Sequence, residues 1–298
     1  MSAPAVQRPA IEVLAVASRD HLGEGPWWDA ARAELLWVDI LGRRVRRATL
    51  DGNEAVELAT PSEVGFAVRD TLGRVVAGLS DGLAVTDPAV TDPADPEWAQ
   101  LWAGDHDASQ LRINDGKTDR RGRVWFGTMH RDEGAPAGAL FSFGGGSVTT
   151  RVTDVTTSNG LGWSPDATRF YYTDSAARTI WVFDSDEDGE LSNRRVFATD
   201  RDGYAPDGLT VDTAGAVWSA KWNGSRIVRY DPDGRIDGIV EVPVRKPTSV
   251  VFGGPGLDTL IVTSAQMDEG DGELAGAVLL LDVGASGIAE RPADADLL

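Results

Sequence analysis

The chain contains no cysteine. That absence excludes a disulfide scaffold, zinc–thiolate and iron–sulfur centres, and thiol catalysis. Histidine occurs only at positions 21, 106 and 130, and none stands beside a recognisable nucleophile motif, so a serine-hydrolase triad has no support. Basic residues are scarce too. Against 47 Asp and Glu there are 28 Lys and Arg, a net charge of −19 and a pI near 4.5. A surface of that sign is unsuited to gripping phosphate backbones or anionic lipid, so neither a nucleic acid nor a membrane is expected as partner. No apolar run approaches the roughly 18 residues of a membrane span. The opening MSAPAVQRPA has no apolar stretch behind a basic start, so no secretory signal is read and a cytoplasmic protein is expected.

What the chain does contain is a repeat. A small or polar residue, usually followed by Gly, opens an alternating apolar strand. A turn with Asp, Gly or Pro follows, and then a second strand carrying Trp, Phe or Tyr. The unit begins at Glu24, Val64, Asp115, Asn159, Asp207 and Ser249, roughly every 45 residues. Its second strands read LLWVDI, GRVVAGL, GRVWFGT, RFYYTDS, GAVWSAK and DTLIVTS. Third strands and acidic or Gly-rich turns follow, as in TIWVFDSDEDG and RIVRYDPDG. Period-two alternation, β-branched and aromatic enrichment and frequent turn signals specify antiparallel β structure, with few amphipathic helical windows.

Six such units predict an all-β, six-bladed β-propeller with four-stranded antiparallel blades. Residues 1–10 read as an N-terminal tail and residues 11–298 as a single propeller domain. The strand-like segment 11–17 (IEVLAVA) precedes the first unit and is expected to pair with the last blade, closing the ring. Trp37, Trp125, Trp163, Trp181 and Trp218 fall where aromatic groups pack blade on blade, whereas Trp27 and Trp222 fall nearer the polar positions.

In a radial array the opening residues of the units converge on one mouth of the channel. They read Glu24, Val64, Asp115, Asn159, Asp207 and Ser249. Asn-Gly and Asp-Gly are also ordinary turn dipeptides. Carboxylates crowded into a narrow mouth repel unless a cation or a shared proton relieves them. Oxygen donors with no Cys or His among them suit a hard divalent cation such as Ca²⁺, Mg²⁺, Mn²⁺ or Zn²⁺. Two other motifs fall away. The acidic run 184–189 starts like an EF-hand but has Arg195 where the bidentate Glu belongs, and Gly144–Gly146 lacks the Lys-Ser/Thr of a phosphate loop.

The blocks LGEGPWW, RINDGKTDRRGRVWFGTM, SNGLGWSPD, FYYTDS, APDGLTVDTAGAVWSAKWNGSRIVRYDPDG and PTSVVFGG, in this order, resemble the SMP-30/gluconolactonase/regucalcin family over roughly residues 15–282. The resemblance implies a six-bladed propeller holding one divalent metal and hydrolysing sugar-acid lactones. It implies Glu24, Asn159 and Asp207 as metal ligands. Arg112 and Asn114 are implied as substrate contacts, with Asp115 ordering the site. In the loop after GTM, where relatives carry acidic residues that touch the sugar, this chain reads HRDEGAPAG, and Asp132 is the residue expected there. His106, within Asp105-His106-Asp107, is a further candidate for substrate contact.

The expected reaction is opening of a lactone to the aldonic acid in carbohydrate catabolism, with Asp207 as general base. Two alternatives stay open: a propeller hydrolase of another lactone or a phosphotriester-like substrate, and a calcium-binding propeller without catalysis.

Overall fold

The structure, a computed structural model, describes residues 4–89, 91–201 and 203–298. These form β-strands and no helix, so no helix is long and apolar enough to cross a membrane. Six sheets stand around a central axis. Their inner strands are Gly23–Asp29, Val64–Arg69, Leu111–Thr118, Ser158–Trp163, Ala205–Val211 and Pro247–Gly253, in blades 1 to 6. Each inner strand packs against the next, and that of blade 6 returns to that of blade 1.

The ring closes as the sequence predicts. Strand Ile11–Val13 pairs antiparallel with Leu279–Asp282 and becomes the outer strand of blade 6. An additional strand, Ala5–Gln7, lies parallel to Ile236–Glu241 and makes blade 5 five-stranded. Its three exposed residues carry no alternating pattern from which pairing could be read.

Aromatic and β-branched side chains fill the spaces between blades, as apolar burial demands. Trp37, Trp125 and Trp218 are fully buried, while Trp163 and Trp181 are half-buried. Each of the three buried indoles keeps its N–H satisfied by a carboxylate. Trp37 donates to Asp20 at 2.9 Å, Trp125 to Asp119 at 2.9 Å and Trp218 to Asp212 at 3.0 Å. An arginine lies over each ring (Arg46, Arg151 and Arg229).

Much of the acidic excess is spent in turns. Asp70, Asp119 and Asp212 end inner strands, and each accepts backbone N–H groups two and four residues ahead. These Asx turns explain the recurring Asp-x-x-Gly signature between first and second strands.

One irregularity positions the site. Every inner strand breaks register against its neighbour near the channel mouth: between Glu24 and Trp27, Val64 and Phe66, Ile113 and Asp115, Asn159 and Leu161, Pro206 and Leu209, and Pro247 and Val250. A β-bulge leaves a residue out of the ladder and re-aims its side chain. At Gly65 the blades approach so closely that a Cβ would stand 2.4 Å from the Asn114 carbonyl oxygen, so only glycine fits.

Candidate active site at the channel mouth

Six bulged strands leave a cavity of about 220 Å³ at one end of the axis. Glu24, Arg112, Asn114, Asn159 and Asp207 line it together with Glu133, Thr157, Ser175, Trp222, Met129 and Met267. Five of the residues singled out from sequence therefore converge, from blades 1, 3, 4 and 5.

The amides form a directed network. Arg112 Nη1 donates to Asn114 Oδ1 at 2.6 Å, which turns the Asn114 amide nitrogen toward blade 4. That nitrogen donates to the Ser158 carbonyl at 2.7 Å and to Asn159 Oδ1 at 3.1 Å. Asn159 in turn donates through Nδ2 to Ser175 Oγ at 2.9 Å. With its nitrogen committed to Ser175, Asn159 presents its oxygen on the Asn114 side.

The carboxylates are under strain of a different kind. Glu24, Asp207 and Asp115 are all buried. Burial raises the Glu24 carboxyl well above its ordinary range, and repulsion from Asp207 and Asp115 adds to it; the Gly25 N–H and Arg112 oppose. Asp207 is raised by burial first and then by Asp115 and Glu133, against the Gly208 N–H and Lys221. Asp115 is pushed up to about 6, chiefly by burial, with the Gly116 N–H and Lys117 holding it back. Asp207 Oδ1 is buried and has no hydrogen-bond partner. A buried acceptor without a donor is costly, and such an atom marks a place for a ligand.

These observations fit a divalent cation. Glu24, Asn159 and Asp207 supply oxygen alone, the orphaned Oδ1 lacks a positive partner, and the mutual repulsion is what a cation would relieve. Among the described residues, no three His, Cys, Asp or Glu side chains are gathered closely enough to hold an ion. The candidate set reaches three donors through the Asn159 amide.

Several expectations are placed differently. Asp115 does not line the cavity. The bulge in blade 3 falls at Asn114, so Asn114 stands in the ring of mouth residues, while Asp115 lies below it in a channel constriction beside Lys117 and Trp27. Trp27 thus belongs to the channel and not the mouth, whereas Trp222 does line the cavity. In the loop after the second strand of blade 3, Asp132 is exposed and outside the cavity wall; Glu133 is in it. Glu133 has φ of 52°, a left-handed conformation uncommon for a non-glycine residue. No local sequence signal announces that conformation. His106 is half-buried with its Nε2 2.8 Å from the Ser80 carbonyl, also outside the cavity wall. Lys221, fully buried, was not anticipated. Its ammonium lies 2.8 Å from Asp200 Oδ2, and burial pushes it down to about 8.

Comparison with known proteins gives concordant results. A model of the SMP-30/gluconolactonase/LRE-like region matches residues 22–266. The pentonolactonase XacC of Haloferax volcanii is 38% identical over 290 residues, covering 93% of this chain and 96% of the relative. The regucalcin of Sus scrofa is 35% identical, covering 83% and 84%. Among solved structures, a calcium-binding regucalcin from Agrobacterium tumefaciens superposes with a TM-score of 0.90 at 27% identity, covering 98% of this chain and 99% of that one.

Proposed function

The chain belongs to the SMP-30/gluconolactonase/LRE-like family, and from that premise we propose that it is a divalent-metal-dependent hydrolase opening a sugar-acid lactone to the aldonic acid. The carrying observation is Asp207: a buried carboxylate with one oxygen unpartnered, on the wall of a sugar-sized cavity, opposed by Glu24. The relative named as a pentonolactonase supports the substrate class.

Glu24, Asn159 and Asp207 are the residues that would hold the cation. When bound, it supplies Lewis-acid polarisation of the lactone carbonyl and charge stabilisation for the oxyanion. Asp207 acts as general base, a carboxylate oxygen at the cavity wall taking a proton from the attacking water. Arg112 and Asn114 orient the substrate, the guanidinium facing oxygen atoms of the sugar or the developing negative charge. Glu133 accepts hydrogen bonds from sugar hydroxyls, the role expected from sequence at Asp132. Trp222 and the methionines offer apolar surface to the ring. The product carries a new carboxylate, which the surrounding acidic groups help to expel. A place in cytoplasmic carbohydrate catabolism belongs to the same proposal.

Purified protein assayed with an acid-release indicator on glucono-, galactono- and pentonolactones tests this. Turnover lost on chelation and regained with a divalent cation is expected. Absence of cation-dependent turnover on all of them overturns the reading. A calcium-binding propeller without catalysis, suggested by the description of the Agrobacterium protein, would bind the cation yet leave every lactone intact.

A further inference from the structure

The inner strands that carry the mouth residues at one end carry a second pocket at the other. Lys117 and Thr118 in blade 3, Gly162 and Trp163 in blade 4, and Thr210 and Val211 in blade 5 lie at the far ends of strands that begin near Arg112, Asn159 and Asp207. The separation along a strand is roughly 10–20 Å. The pocket holds about 400 Å³, more than the mouth cavity and within the usual size of small-molecule sites.

Its fourth wall is the C-terminal segment, strung across this end of the channel. The segment is tied on one side by Thr213 N–H to the Ser286 carbonyl (2.9 Å) and Gly287 N–H to the Leu257 carbonyl (2.8 Å). On the other side, Ala293 N–H donates to the Arg69 carbonyl (2.8 Å) and Asp294 N–H to the Gly122 carbonyl (2.9 Å). The stretch between these anchors, residues 288–291, faces the pocket. Glu290 reaches inward to Lys117 at 2.8 Å, and Lys117 also borders the narrow channel void beneath the mouth. This pair separates the two spaces.

The chemistry of the lining is asymmetric. Trp163, Pro165, Val211 and Ile288 supply an apolar surface, and Trp163 is held edge-on against Trp125 at 5.5 Å. The acids are already engaged: Asp119 accepts from Arg123 and Trp125, and Glu290 is bound to Lys117. Arg120 and Arg291 line the pocket and are exposed, and among the described residues neither has an acidic partner. In a chain of net charge −19, where most arginines are paired, two unneutralised ones flanking an apolar pocket form a local site for negative charge.

We propose that this pocket is a second ligand site, taking a small organic anion with a flat apolar body, such as an aryl carboxylate or aryl phosphate. The anionic group is received by Arg120 and Arg291, and the ring lies against Trp163.

Isothermal titration with phenyl phosphate at low ionic strength, with benzyl alcohol as the uncharged control, tests it. Saturable one-to-one binding of phenyl phosphate and markedly weaker binding of benzyl alcohol are expected. Removing both charged anchors in Arg120→Gln/Arg291→Gln should weaken binding about tenfold or more. Reversal in Arg120→Glu/Arg291→Glu should abolish it with an unchanged melting curve; should that pair misfold, the glutamine pair decides. No saturable heat, equal binding of benzyl alcohol, or affinity unchanged in the glutamine variant overturns the proposal. The last result would put the anion elsewhere, including in the mouth.

Discussion

Asn114 of blade 3 donates its side-chain amide to Asn159 Oδ1 of blade 4 at 3.1 Å, joining the proposed substrate-binding and metal-binding groups in one hydrogen-bonded unit. Neither side chain holds its orientation alone. Arg112 fixes the Asn114 oxygen, and Ser175 fixes the Asn159 nitrogen. Supporting hydrogen bonds of this kind typically change activity or metal affinity by about 10–100-fold when removed.

Asn114→Ala therefore lowers kcat/KM by about 10–100-fold and weakens divalent-cation binding, because Asn159 loses the donor on its ligating side. Steady-state kinetics and a calorimetric cation titration check this. Unchanged cation affinity would show that the two amides act separately.

Asp207→Asn removes the proposed general base, whose contribution is typically about 10²–10⁴-fold, together with one anionic donor. Turnover should fall at least that far. The chelator-treated variant should also melt higher than chelator-treated wild type at pH 7, because a buried carboxylate repelled by Asp115 and Glu133 has been neutralised. Thermal denaturation in the presence of chelator reads the second effect independently of activity.

Chelation of the wild-type protein should lower its melting temperature, and a divalent cation should restore it. Binding to the folded state alone stabilises by mass action, so the midpoint should rise with cation concentration. A midpoint indifferent to Ca²⁺, Mg²⁺, Mn²⁺ and Zn²⁺ would contradict the assignment of Glu24, Asn159 and Asp207.

Glu133→Gln should raise KM by about tenfold with little change in stability. Asp132→Asn should leave both untouched, since only Glu133 lies on the cavity wall. Kinetics of the two variants side by side decide between these neighbours.

Lys221 in the second strand of blade 5 pairs with Asp200 at the end of blade 4, both buried, so removing one partner leaves an uncompensated charge. Lys221→Met should destabilise by about 3–5 kcal/mol, and Lys221→Met/Asp200→Leu should recover most of that. In the wild type the ammonium is pushed down to about 8 by burial, against the attraction of Asp200. The unfolded chain, with an ordinary lysine, binds the extra proton between about pH 8 and 10.5. The contribution of this group to stability therefore rises with pH across that window. Urea denaturation at pH 7.5 and 9.5 should show the wild type gaining on Lys221→Met by on the order of 2 kcal/mol.

The architecture was legible because it is periodic. Trp37, Trp125 and Trp218 recur on second strands, where a large apolar group must meet the next blade. Asp70, Asp119 and Asp212 recur where a tight turn needs an acceptor. Ile11–Val13 had no partner within its own unit, which left the last blade as the place to pair. Glu24, Asn159 and Asp207 stood out because each precedes a glycine at an equivalent position of the repeat.

Alternation along the chain and spacing between units thus determined the sheets, their number, the closure of the ring and three residues of its mouth, Glu24, Asn159 and Asp207. Tertiary structure decided which neighbour faces inward. At residues 114 and 115 the choice depends on where the bulge of blade 3 falls, and a shift of one residue turns a strand side chain to the opposite face. At residues 132 and 133 only the folded loop shows that Glu133, which has a left-handed backbone angle, reaches the wall. The far pocket depends on a C-terminal segment anchored by backbone hydrogen bonds to blades distant in sequence. Those bonds use atoms that every residue carries, so the side-chain pattern could not encode them.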